Sequence, residues 1–132
     1  MKQTDPIELA KSKEELDKLL AVRGSLTPMH TRLANDPMLI KTFSTMFALN
    51  NDSSNLIPKK YRELMTMILG ASRGVDMTIR VHAQNAYNEG ASIAEIAEAL
   101  RIAFMVCGVS ALIPASVIFD ELCEADFAKT EE

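Results

Sequence analysis

The sequence predicts an all-α fold, a single-domain bundle of six or seven helices, and three observations carry that expectation. Leu, Ile, Ala and Met supply the apolar residues; aromatics make up 5%, Trp is absent, and Met is frequent at eight. Such a core favours packed helices, because β-branched and aromatic residues dominate strands. Helix starts recur as a capping residue followed by Pro, at Asp5-Pro6, Thr27-Pro28 and Asp36-Pro37. Between those starts and the glycines that follow them, apolar residues return at helical spacing. At 132 residues, 48% apolar and 24% charged, the chain suits one domain that needs no staples, and most of it cannot be disordered.

The elements follow in order. Asp5 caps a first helix with Pro6 at its first position, and Ser12 to Glu15 repeats the signal as a capping box. Leu16, Leu19, Leu20 and Arg23 lead to Gly24 as a stop. Thr27-Pro28 opens a short second helix. Asp36-Pro37 opens a third, with Leu39, Ile40, Phe43, Met46 and Phe47 predicted on its inner face. Residues 50–55 form a polar loop. Pro58 starts a fourth helix reaching about Arg73, with Tyr61, Leu64, Met65 and Ile68 facing inward and Gly74 closing it. Asp76 caps a fifth from Met77 to Asn88, ended by Gly90 in the left-handed conformation. Ser92 to Glu95 forms a second capping box and opens a sixth helix to about Cys107. Pro114 begins a last helix ending near Asp126, and residues 127–132 are expected to fray.

Charge and cysteine usage limit the partners. Fourteen bases against eighteen acids leave −4, which argues against a general grip on nucleic acid. Residues 58–80 carry five bases and two acids, whereas residues 81–132 carry two bases and nine acids. A local basic zone on an acidic chain suits a small anionic ligand, or is simply a pair of solvated helix faces. Cys107 and Cys123, sixteen apart, make no disulfide framework or zinc pattern, so no metal and a reducing, cytoplasmic setting are expected. Both read as core-packing cysteines. Residues 102–119 carry no charge, the lower limit for a membrane span, but Gly108 and Pro114 read as a break between two buried helices. Burial against other subunits, with no membrane contact, is the expectation for that stretch.

His82 is the most informative single residue. It lies one turn past Thr78, on a face shared with Ile79, Ala83 and Ala86, and should be at least partly buried. A buried imidazole needs partners, and Glu63 on the preceding helix is the nearest plausible one. Such a pair in a cavity could transfer protons near neutral pH; equally, His82 could be a satisfied core residue. Glu63 has its own plain reading, a surface salt bridge to Lys59 one turn earlier. His30, between two Pro-containing helix starts, reads as a surface residue.

The run from Tyr61 to Leu122 resembles the carboxymuconolactone decarboxylase and alkylhydroperoxidase D-like superfamily. The matching segments are Arg-Glu-Leu-Met-Thr-Met-Ile-Leu-Gly-Ala-Ser, Val-Asp-Met-Thr-Ile-Arg-Val-His and Asn-Glu-Gly-Ala-Ser-Ile-Ala-Glu-Ile-Ala-Glu-Ala-Leu. The redox branch of that superfamily carries Glu-x11-Cys-x2-Cys-x3-His. On this chain the Glu falls on Glu63 and the His on His82, while the cysteine positions hold Val75 and Thr78. A disulfide relay needs an attacking thiolate and a resolving thiol. Val75 and Thr78 supply neither, so thiol-dependent peroxide chemistry is disfavoured.

What remains resembles the decarboxylase branch. The resemblance implies an alkylhydroperoxidase D-like fold over residues 1–132, a homo-oligomer such as a trimer or hexamer, and no metal or organic cofactor. It implies loss of carbon dioxide from an unsaturated carboxylated lactone, with His82 as proton donor and Glu63 as its orienting partner. Arg80 and Thr78 are the candidate substrate-binding residues, although Arg80, two residues from His82, points to a different side of the helix. Two other readings stay open: a ligand-binding or structural oligomer that has lost catalysis, and a peroxide-defence protein.

Overall fold

The computed structural model describes residues 1–127, with side chains described through Leu122. Every element among them is helical. The backbone divides into two compact units, Met1–Asn55 and the part from Leu56 onward.

The first unit contains α1 (Pro6–Arg23), α2 (Pro28–Leu33) and α3 (Pro37–Asn50). The Asp5 carboxylate caps α1 by accepting from the Ile7 N–H at 2.8 Å, and the Asp36 carboxylate caps α3 through Leu39 at 2.8 Å. The expected start at Ser12 does not exist. Asp5-Pro6 has already nucleated the helix, so the amides following Ser12 are bonded within it and need no cap. Ser12 is instead buried at mid-helix. The unit's core joins Leu19, Ala34 and Ile40, flanked by Leu16, Leu26, Leu33, Phe43 and Phe47. On α3, Leu39 and Met46 face outward, contrary to expectation, because the Ile40–Ser44 line takes the inner position.

His30 also departs from its expected place. It is buried, with its ring 4.9 Å from that of Phe43. Its Nδ1 accepts the Thr27 backbone N–H at 2.8 Å, so the imidazole caps the start of α2 in the way a Glu or Gln does in a capping box. That bond fixes the neutral form with its proton on Nε2. Burial, together with the charge of Arg23, holds the His30 pKa below its ordinary value.

The second unit contains α4 (Lys59–Arg73), α5 (Asp76–Asn88), α6 (Ile93–Cys107), a 3₁₀ turn (Val109–Ala111), α7 (Leu112–Ala115) and α8 (Val117–Phe127). Gly74, at φ 67°, ends α4 and turns the chain straight into α5. The pair is antiparallel: Gly70 meets Thr78, and seven residues earlier Glu63 meets Asn85. A Cβ at Gly70 would stand 2.8 Å from Thr78 Cγ2 and 3.3 Å from the Ile79 nitrogen, so only glycine allows this approach. The close contact rotates α4 away from the expected face. Glu63, Leu64, Met67, Gly70 and Ala71 turn inward, leaving Tyr61 and Met65 exposed. Met67, Ile79, Ala83, Ile96, Leu100 and Ile118 form the centre of this unit's core.

The capping box at the start of α6 is present in both directions, Ser92 Oγ accepting from Glu95 N at 3.1 Å and Glu95 Oε2 from Ser92 N at 2.8 Å. Lys60 then pairs with Glu95 at 2.8 Å, tying α4 to α6. Gly108 breaks the apolar stretch as expected, but Pro114 sits inside the short α7, and α8 starts at Val117. Among the described residues no helix is long and apolar enough to cross a membrane. Cys107 is exposed, not packed in a core, because α6 turns Ala99, Leu100 and Ala103 inward and its last turn outward. The side chain of Cys123 lies outside the described residues.

Candidate active site

The α4–α5 hairpin brings Glu63 and His82 together. Glu63 sits on the inner line of α4, where its side chain is 8% exposed, while His82 lies at the edge of the buried face of α5 and is 27% exposed. His82 Nδ1 and Glu63 Oε2 are 2.5 Å apart. The same carboxylate oxygen accepts from Asn85 Nδ2 at 3.3 Å. Asn85, absent from the sequence-based candidates, follows His82 by three residues and therefore shares its edge of α5. That spacing was the signal available for finding it.

Two opposing effects set the state of the carboxylate. Burial pushes the Glu63 pKa up. The hydrogen bond and charge of His82, the Asn85 amide and the positive charge of Lys59 outweigh it, so the carboxyl stays below its ordinary value and ionised at neutral pH. An ionised carboxylate can only accept, so Nδ1–H of His82 donates. Nε2 then carries the lone pair and has no partner among the described residues. The imidazole is held in one tautomer by a buried carboxylate, with its other nitrogen available for proton transfer.

The remaining candidates fare differently. Lys59 does not bond to Glu63; it pairs with Glu89 at 2.7 Å, and Glu63 turns inward instead. Arg80 donates to Asp76 at 2.9 Å and to Glu121 of α8, so its guanidinium is engaged by two carboxylates. Thr78 is half-buried in the first turn of α5, one turn before His82, with its methyl group turned to Gly70. Val75, at the other motif position, is the N-cap residue of α5. Together they occupy the helix start, where cysteines would be made reactive by the helix dipole. Among the described residues no three His, Cys, Asp or Glu side chains converge as a metal site.

A profile of the carboxymuconolactone decarboxylase family matches residues 41–121, more than half of the chain. The chain belongs to the carboxymuconolactone decarboxylase family. Glu63, His82 and Asn85 all fall within the matched region of this family member. The fold is similar to that of a crystal structure from Burkholderia xenovorans LB400, that of a "putative carboxymuconolactone decarboxylase". The TM-score is 0.72 at 24% identity, over 93% of this chain and 98% of that one. At this identity the likeness speaks for the fold alone. Among curated proteins, none matches.

Proposed function

We propose that this family member is a cofactor-free lyase or proton-transfer enzyme acting on a small carboxylated lactone or related organic acid. The observation that carries the reading is the 2.5 Å contact between His82 Nδ1 and a buried, ionised Glu63. In a decarboxylation the bond to the carboxylate carbon breaks and carbon dioxide leaves. The electron pair stays on the former α-carbon and spreads over the conjugated lactone. His82 Nε2, having taken up a proton from solvent, then delivers it to that carbon, forming the new C–H bond and returning the imidazole to its neutral form. Glu63 remains ionised throughout, stabilising the imidazolium as an orienting carboxylate does in a catalytic triad. Asn85 holds the carboxylate in place. Val75 and Thr78, at the cysteine positions, favour this chemistry over thiol-dependent peroxide reduction.

The engagement of Arg80 by Asp76 and Glu121 favours a second reading, a ligand-binding protein without turnover, since the expected carboxylate-binding cation is already neutralised. Under either reading the protein self-associates through the last turn of α6 and the segment after it. Met105, Val106, Val109 and Ile113 are each at least 60% exposed there, more apolar surface than a monomer ordinarily leaves to water. A charge at Met105 (Met105→Glu) is then expected to lower the oligomeric mass measured by light scattering.

The deciding experiment follows carbon dioxide release from a panel of unsaturated carboxylated lactones in deuterium oxide, reading deuterium uptake at the α-carbon of the product. Turnover by the native protein with deuterium at that carbon, lost in Glu63→Gln, supports the lyase. Stabilisation of the fold by the same compounds without any carbon dioxide release supports the ligand-binding reading. Turnover that persists undiminished in Glu63→Gln removes the pair from the mechanism.

A further inference from the structure

The first unit contains an open groove of about 580 Å³ that shares no residue with the His82 pair. Its volume is that of an ordinary small-molecule pocket. Leu9, Leu16 and Ala34 make its walls apolar, and Lys2, Lys13 and Arg32 stand at its rim. No Asp or Glu is among the described residues lining it. Lys2 is placed there by its neighbour: Gln3 N donates to Asn35 Oδ1 at 2.8 Å, strapping the chain start to the turn after α2. Ser12 also lines the groove. It is 2% exposed, and its hydroxyl finds no hydrogen-bond partner among the described residues. A buried hydroxyl left without a partner is costly, and a ligand oxygen is one way to satisfy it.

The cations are available. Lys2 and Arg32 form no ion pair among the described residues, and the Lys13 partner, Asp17, is an exposed side chain at 2.7 Å that gives up its lysine at little cost. Apolar walls, an excess of cations and one unsatisfied hydroxyl describe a receptor for a molecule with a carboxylate head and a hydrocarbon body. We propose that this groove binds a free organic carboxylate with an apolar chain, its head between Arg32 and Lys13 and its body along Leu9 and Leu16. Ser12 adds to the binding, its otherwise unpartnered hydroxyl turning to the head group when the groove is filled. This site is independent of the reading given to His82.

Calorimetric titration of the full chain with octanoate tests it, with 1-octanol and acetate as probes of each half of the ligand. Octanoate is expected to saturate one site per chain at millimolar concentration, while octanol and acetate bind at least about tenfold more weakly, the loss of one charge-assisted contact or of the apolar body. Arg32→Ala and Lys13→Ala, both on exposed side chains, should each weaken octanoate by about tenfold, and Ser12→Ala by a smaller factor of about three. His82→Ala should leave octanoate binding unchanged, whether or not His82 is catalytic. The proposal is overturned by absence of saturation, by octanol binding as tightly as octanoate, by an unaffected Arg32→Ala, or by loss of binding in His82→Ala.

Discussion

Each unit of this molecule holds one histidine, and the two are opposites in almost every physical respect. His30, in the first unit, is buried against Phe43 and uses Nδ1 to accept a backbone N–H. Its proton must sit on Nε2, and adding a second proton would break the cap that starts α2. His82, in the second unit, is part-exposed and uses Nδ1 to donate to a buried carboxylate. Its Nδ1 holds no backbone bond, and its Nε2 is left open among the described residues. What distinguishes the two imidazoles is thus the partner on Nδ1: a backbone donor makes His30 an acceptor with its proton on Nε2, and a carboxylate makes His82 a donor with Nε2 left open. Burial alone would have ranked the two in the wrong order.

The largest expected effect separates the two histidines by their function. His82→Ala should lower kcat by about 10²–10⁴-fold, the usual worth of a positioned general acid, while circular dichroism and the melting transition stay close to native. His30→Ala should do the reverse. Loss of the cap and of the ring packed on Phe43 costs about 2–3 kcal/mol in denaturant titration, with turnover per folded molecule unchanged. Should His82→Ala prove as destabilising as His30→Ala with no specific loss of kcat, both residues would be structural and the contrast would disappear.

A further prediction concerns the hairpin that makes the His82 pair possible. Gly70→Ala should cost about 1–3 kcal/mol by overpacking, since its Cβ would meet Thr78 Cγ2 at 2.8 Å and the Ile79 backbone behind it. The relief is a spreading of α4 from α5, which also lengthens the contact between Glu63 and His82. Gly70→Ala is therefore expected to lower kcat as well as stability, unlike His30→Ala. A stability loss without any change in kcat would show that the pair tolerates the displacement.

How much of this was legible in the sequence depends on the range of the physics involved. The caps at Asp5, Asp36 and Ser92 and the stops at Gly24, Gly74 and Gly90 are local, and the structure has each of them at or within a residue of its expected place. The Glu63–His82 contact was also readable, because an antiparallel hairpin with a two-residue connection leaves few choices of facing partner. The phase of α4 was not. Tyr61 and Met65 look like core residues until the Gly70–Thr78 approach is known, and that approach is a tertiary fact. His30 failed for a related reason: a histidine at the third position of a helix is rarely read as a cap, although its Nδ1 stands where a Glu or Gln side chain would place its oxygen. The burial expected of Cys107 rests on its apolar neighbours in sequence, and several of these, Met105 and Val106 among them, are themselves exposed.

Acid should reveal the two histidine environments in a fixed order. The His30 pKa is depressed in the folded state, so its contribution is fully present above the ordinary value of 6.5 and declines below it, as the unfolded chain takes up a proton that the folded one resists. The Glu63 carboxyl is also depressed. Its contribution persists above the ordinary value of 4.5 and is lost only as pH falls through its lower folded value. Amide exchange read separately in residues 1–55 and 56–122 should therefore show protection weakening in the first unit by about pH 6 and in the second only below about pH 4.5. His30→Gln, which keeps an acceptor for the cap without a proton to gain, should erase the first step. Simultaneous loss in both units, unchanged by His30→Gln, would place the acid sensitivity elsewhere.

The smallest effect is expected at Arg80, and it bears on what the His82 pair lacks. Arg80 bonds to Asp76 and Glu121, both more than 40% exposed, and exposed ion pairs contribute little because water solvates their separated charges nearly as well. Arg80→Ala should therefore change stability by less than about 1 kcal/mol. Its effect on KM is the informative part. If the guanidinium stays with its two carboxylates during the reaction, KM for an anionic substrate is unchanged and the anion is held by other groups. If Arg80 leaves them for the substrate, KM rises by about tenfold or more, the worth of one charge-assisted contact. The double replacement of Asp76 and Glu121 by Asn and Gln then separates the cases further. It frees Arg80 without removing it, and it should lower KM only if the arginine competes between its neighbours and the substrate.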